Sequence, residues 1–342
     1  MTANAVTFSI DDPGGRLTGV RLYQEVRIPG DRLDFRRRGD GWELVIDRPP
    51  VGRMEYLLEL RHGSGRTELI TDPGNPLRAP GAFGQKSVRE FGCYAEPGWL
   101  SVQAAQGACR KLDLPAPALG GTISALVWSP AGCADSEPLP LLVVHDGPEY
   151  DSLAGLLTYL AAGVGGGWLP RLRAALLAPG PRDRWYSANA AYARTLRHVV
   201  RDDLAGQLAT TAHIGMGTSL GGLAMLHAHC RHPGTFDALF LQSGSFFTPS
   251  LDSQEERFGY FARVTAFVAA VHAGHLPGRP VPVTLTCGTI EENVQNNRLM
   301  GQTLRAHGYP AELHEVADMH NYTAWRDAFD PYLTGLLHRA CR

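Results

Sequence analysis

Ser219 lies in Gly217-Thr218-Ser219-Leu220-Gly221-Gly222, which follows the run His213-Ile214-Gly215-Met216 and leads at once into the apolar segment Leu223 to His229. A strand, a turn of small residues and a helix, in that order, lift a serine hydroxyl clear of a sheet. The turn is so tight that only small side chains fit two places before and two places after the serine. A serine hydroxyl is a poor nucleophile near neutral pH, so it needs a base within hydrogen-bond reach and a carboxylate to hold that base. In a chain with 39 glycines the motif alone is weakly specific. The residues downstream give it weight.

The best-placed base is His320 in Asp318-Met319-His320-Asn321, after the last expected strand and before the last expected helix. His314 falls within that strand, where its side chain points to a sheet face. His227, His229 and His232 with Cys230 look like a metal set, but helical residues two apart face different ways, so 227 and 229 cannot share an ion, and no metal or cofactor is expected. The acid belongs after the strand expected at 282–287, which keeps the chain order serine, acid, histidine. There the sequence reads Cys287-Gly288-Thr289-Ile290-Glu291-Glu292-Asn293. Glu291 is preferred to Glu292, with Asp318 third because it is so close to His320 in sequence; either glutamate could instead cap the helix that follows.

An acyl-transfer site also needs backbone N–H groups aimed at the developing oxyanion. Leu220, directly after the serine, is one candidate. The other should come from His145-Asp146-Gly147-Pro148-Glu149-Tyr150. Pro148 has no N–H, which leaves Gly147 or Glu149. The aromatic residues of these loops, Tyr150, Trp185 and Trp325, are candidate substrate contacts.

The elements that would position these groups fall into two parts. Residues 1–115 contain alternating runs such as Gly19 to Tyr23, Trp42 to Ile46 and Met54 to Leu60, divided by turn signals including Asp72-Pro73-Gly74-Asn75-Pro76. Short strands at this spacing predict a small β-sandwich. Residues 82–117 are irregular, and Pro115 to Gly121 reads as a linker. Residues 116–342 then alternate. Strands are expected at 122–128, 141–144, 174–178, 212–216, 238–243, 282–287 and 312–316, with helices at 152–162, 189–206, 220–230, 259–272, 294–306 and 324–339. The fold class is therefore α/β, a mostly parallel sheet covered on both faces, with its chemistry at the carboxyl ends of the strands. Phe261, Val264, Phe267, Val268 and Val271 form a core stripe on one helix, and Thr248 to Arg257 before it is a candidate lid segment.

With 342 residues, 44% hydrophobic and 19% charged, and a formal net charge of −2, the chain is an ordinary globular protein. Neither nucleic acid nor a membrane surface is an expected partner. Met1 to Asp12 has no basic start or apolar core of signal-peptide length, and the six cysteines lack Cys-x-x-Cys spacing. A cytoplasmic protein with reduced thiols is expected.

In these residues the chain resembles the enterochelin-esterase-like branch of the esterase D family of α/β-hydrolases. The matches are Val144-His145-Asp146-Gly147, the turn at Ser219, Gln242-Ser243-Gly244-Ser245-Phe246-Phe247, Gly288-x-x-Glu291, and His320 followed by Trp325-Arg326. The resemblance implies an immunoglobulin-like sandwich at the N-terminus and a small-molecule ester as substrate, a siderophore-type lactone or another small acyl ester. Asn321 stands where those enzymes usually carry an acidic residue, Arg182 to Tyr186 replaces an Arg-x-x-Glu-type element, and Pro148 sits where related mycolyltransferases supply an oxyanion N–H. The expected activity is a serine esterase working through an acyl-enzyme with Ser219, His320 and Glu291. Two rivals are an acyltransferase of the same fold, and a carbohydrate-binding protein using Tyr23, Trp42 or Tyr56 of the sandwich beside a vestigial hydrolase half.

Overall fold

The computed structural model describes residues 5–25, 32–276 and 278–341. It divides into two compact units. One comprises residues 1–95 with 288–292 and 317–324; the other comprises 96–287, 293–316 and 325–342.

The first unit is a sandwich of antiparallel sheets. Ala5–Asp11, Gly41–Asp47 and Arg36–Arg38 form one sheet. Leu17–Tyr23, Arg53–His62, Lys86–Glu90 and Arg78–Ala79 form the other, with Thr67–Ile70 pairing on Arg53–His62. Burial alternates along Ala5–Asp11, so Val6, Phe8 and Ile10 face inward. There they meet Leu44, Ile46, Val20, Leu22, Met54, Tyr56 and Leu58. Met319 belongs to the same core and Ile290 packs against it, which explains why two short segments from far along the chain group with the sandwich. The backbone joins them too, since the Gly52 N–H donates to the Ala317 carbonyl at 3.1 Å.

The second unit is built on eight strands: β1 (Ala108–Ala116), β2 (Gly121–Ser129), β3 (Leu139–Val144), β4 (Arg173–Leu177), β5 (Thr210–Thr218), β6 (Ala238–Gln242), β7 (Val283–Gly288) and β8 (Ala311–Val316). Their order across the sheet is β1-β2-β4-β3-β5-β6-β7-β8. β4, β3, β5, β6 and β7 run parallel, and β2 is antiparallel to both β1 and β4. All six residues of β3 are buried. Leu141 and Val143 enter one core with Tyr192, Leu196 and Leu223, while Leu142 and Val144 point to the opposite face and are equally buried. Both faces are therefore covered, as an apolar parallel strand requires. Among the described residues, the α-helices longer than one turn are α1 (Gly147–Ala154), α2 (Leu156–Gly165), α3 (Arg182–Tyr186), α4 (Ala190–His198), α5 (Leu220–Arg231), α6 (Phe261–His272), α7 (Val294–Ala306), α8 (Tyr322–Asp327) and α9 (Thr334–Ala340).

Three expectations need correction. The stretch expected as a linker at 115–121 is a hairpin in the large sheet, where Ala116 pairs with Gly121; the chain passes between units at 95–96. The loop expected after β3 is helical from Gly147 onward. The single helix expected at 324–339 is broken by extended backbone at Asp330 (φ −110°, ψ 122°), because a residue preceding proline is driven out of the helical region. On α6, Val264, Phe267, Val268 and Val271 are buried as the stripe predicts. Among the described residues no helix is long and apolar enough to cross a membrane.

Candidate active site

Ser219 ends β5 and stands at the N-cap of α5 with φ 53° and ψ −124°, backbone that side-chain-bearing residues rarely adopt and that costs on the order of 1–3 kcal/mol. The turn closes so tightly that a Cβ on Gly217 would lie 2.6 Å from the backbone carbonyl carbon and oxygen of Gly221. The Ser219 N–H donates to the Gln242 carbonyl at 2.9 Å. Its hydroxyl makes no capping bond to the helix and instead lies 3.1 Å from the Ser245 hydroxyl. Leu220 opens α5, so its N–H is among those that an α-helix leaves without an internal partner.

The loop after β3 packs directly against this turn. A Cβ on Gly221 would lie 3.1 Å from Asp146 Oδ2 and 3.2 Å from His145 Cβ. The Gly221 carbonyl sits 2.9 Å from His145 Nδ1. A carbonyl only accepts, so Nδ1 carries the proton and Nε2 accepts from the Tyr192 hydroxyl at 2.8 Å. Complete burial drives the His145 pKa down to about 4, so this ring is neutral and structural. Asp146 is left-handed (φ 50°) at the N-cap of α1, and Arg182 clamps its carboxylate with two bonds of 2.9 and 2.8 Å. Gly147 and Glu149 then occupy the first turn of α1 on either side of Pro148. Gly147 is pressed onto β4, where a Cβ would meet Leu176 Cα at 2.4 Å.

In the other unit, His320 and Glu291 form a pair. His320 Nδ1 lies 2.8 Å from Glu291 Oε2, and the Gly288 N–H donates to Glu291 Oε1 at 2.7 Å. The carboxylate accepts from Nδ1–H, which leaves Nε2 as the ring atom that takes up and releases a proton. Glu291 is buried whereas Glu292 is exposed. Desolvation pushes the His320 imidazole toward the neutral form, but the charge and hydrogen bond of Glu291 outweigh it, and its pKa lies above the ordinary value. Asp318 bonds the Met319 N–H. His314 stacks on Tyr332.

The three aromatic candidates are all buried. Tyr150 is fully buried and its hydroxyl donates to Gln242 Oε1 at 2.8 Å. Trp325 donates its indole N–H to Ser243 Oγ at 3.0 Å, and Trp185 stacks on Tyr192. His227 meets Phe267 edge-on while His229 bonds the Arg279 carbonyl, so the two rings serve different neighbours. Sequence reasoning gave no individual role to Ser245, to Arg182 or to the Asn297 side chain that holds Gly244; for the loop at 242–247 the only signal was its family-like run.

A mainly parallel eight-stranded sheet with a strained serine between β5 and α5 defines the α/β-hydrolase fold. Among solved structures, the chain is similar in fold to the enterochelin esterase of Shigella flexneri (TM-score 0.77, 19% identity, covering 98% of this chain and 93% of that one). It is similar also to the ferric enterobactin esterase of Salmonella typhimurium (TM-score 0.78, 19% identity, 99% and 95%). A feruloyl esterase module from Clostridium thermocellum, solved with sinapinate, matches at TM-score 0.54 and 14% identity over 73% of this chain and 95% of that one. No family sequence model matches the chain, and no curated protein matches it by sequence.

Proposed function

We propose that this protein is a serine esterase acting on a small carboxylic ester, with Ser219 as nucleophile, His320 as base and then acid, and Glu291 as the group that orients the imidazole. The observation that carries this reading is the backbone of Ser219, a costly conformation at the end of a central strand whose hydroxyl does no capping. The fixed tautomer of His320 supports it.

In the proposed reaction, Ser219 Oγ bonds to the acyl carbon, the carbonyl π electrons move to oxygen, and the serine proton passes to His320 Nε2. The Leu220 N–H, with that of Gly147 or Glu149, stabilises the oxyanion. Collapse expels the alcohol with the proton from His320, and water repeats the sequence to release the acid. Resemblance to proteins described as enterobactin and feruloyl esterases directs the substrate search to aryl esters and siderophore-type lactones. The free state of all six cysteines accords with a reducing cytoplasm as its location. Of the sandwich aromatics, Tyr56 is buried with its hydroxyl on Asp72, and Arg37 lies over the Trp42 ring. Neither is an open platform for a sugar.

The test is labelling by a fluorophosphonate together with hydrolysis of short-chain aryl esters. Wild type should label and turn over. Ser219→Ala should do neither while keeping its melting temperature within about 2 °C. Undiminished hydrolysis by that variant would end the proposal.

A further inference from the structure

Ser245 is tied to Ser219 twice. Its hydroxyl lies 3.1 Å from the Ser219 hydroxyl, and its N–H donates to the Ser219 carbonyl at 3.1 Å. The side chain is buried, with 2% of the residue exposed. The loop that carries it is held from a third element: Asn297 on α7 accepts from the Gly244 N–H at 3.1 Å and donates to the Gly244 carbonyl at 3.0 Å. Ser243 is left-handed (φ 47°). At Gly244 a Cβ would stand 2.4 Å from the Phe246 ring, so the loop admits no larger residue without moving. Strain and a bidentate asparagine therefore fix the buried Ser245 hydroxyl against the half-buried hydroxyl of Ser219.

Between two hydroxyls, either can donate. When Ser219 donates, its proton is spent on Ser245 and faces no base. When Ser245 donates, a lone pair of Ser219 Oγ is occupied and the Ser219 proton must turn elsewhere. That second arrangement also leaves a donor on Ser219 Oγ as charge builds there during proton loss.

We propose that Ser245 is a positioning residue for the nucleophile: its hydroxyl donates to Ser219 Oγ and turns the Ser219 O–H toward the base. This rests on the reading of Ser219 as nucleophile and His320 as base. Ser245 keeps its own proton throughout. The only proton that moves in acylation is that of Ser219, and the same contact receives Ser219 Oγ when it leaves the acyl-enzyme.

The experiment follows inactivation of the full-length protein by a fluorophosphonate, in which the Ser219 O–P bond forms and fluoride departs. Varying the probe concentration separates the rate of the covalent step and the affinity of the reversible complex that precedes it. Wild type, Ser219→Ala, Ser245→Ala and Ser245→Thr are compared, each with its melting temperature. Ser245→Ala should lose about 10- to 100-fold in covalent rate, the worth of one hydrogen bond to a charged group, with probe binding and melting unchanged. Ser245→Thr should recover part of the loss. A Ser245→Ala protein inactivated at the wild-type rate overturns the inference and leaves Ser219 as nucleophile. A loss matched by weaker probe binding and a lower melting temperature, with no recovery in Ser245→Thr, also overturns it, by showing that the hydroxyl only supports the loop. A wild type that does not label removes the nucleophile reading and this inference together.

Discussion

The imidazole of His320 is pulled in two directions, by desolvation toward the neutral ring and by Glu291 toward the charged one, and Glu291 wins. As the proposed base, His320 must be neutral to accept a proton, so the acid limb of the kcat/KM profile should have its midpoint above the ordinary histidine value of 6.5. Glu291→Gln removes the charge and leaves the burial. It should move that midpoint to lower pH and reduce kcat by on the order of 10⁴-fold; a profile that stays in place would separate Glu291 from the proposed base. The stability linkage has the opposite sense. A raised folded pKa contributes stability that is fully present below the unfolded value and lost as pH rises through the folded one, so the pH range that activates the base is the range in which this pair stops stabilising the fold. At this scale the sequence is informative about order and poor on direction. Ser219, Glu291 and His320 are proposed from motif and chain order, but Glu291 and Glu292 differ only in which way consecutive residues of a turn face. Tyr150, Trp185 and Trp325 flank the right loops, which is all that makes them candidate substrate contacts. An aromatic ring beside an active-site loop serves equally well as packing, and only burial distinguishes the two.

At the scale of elements, the turn between β5 and α5 is where local geometry is least negotiable. A methyl group on Gly217 would meet backbone rather than a flexible side chain, so nothing cheap can move aside. Gly217→Ala should cost about 1–3 kcal/mol and displace Ser219, lowering both the melting temperature and the fluorophosphonate labelling rate. Wild-type behaviour in both would mean that the turn is softer than its contacts imply. Most elements are legible because a parallel strand buried on both faces announces itself as an apolar run, as Leu139–Val144 does. β1 is not legible. It is an edge strand whose first half, Ala108 to Lys111, is exposed, so it lacks the pattern of a buried strand and carries the charges by which edges avoid pairing. The break near Asp330 is hidden even though Pro331 stands in plain view, since the apolar periodicity on either side suggests one helix.

For the whole molecule, composition suggests a boundary near 115, whereas residues 1–95 group as one compact unit with 288–292 and 317–324, an interleaving that is invisible in the sequence. Contacts between residues hundreds of positions apart leave no local trace. Met319, next to the proposed base, is 2% exposed in the sandwich core. Met319→Ala should therefore destabilise the sandwich by about 2–5 kcal/mol and, by loosening the turn that carries His320, reduce ester hydrolysis, measured as melting temperature and kcat side by side. A stable variant with undiminished kcat would show that the turn holds itself. The same packing bears on how the chain is made. A domain at the start of a chain ordinarily folds while the rest is still being synthesised. Here Ile290 and Met319 belong to the core of a sandwich formed by residues before 96, so in N-to-C synthesis that core is complete only after residues 96–318 have been added, and its last residue arrives together with the proposed catalytic base.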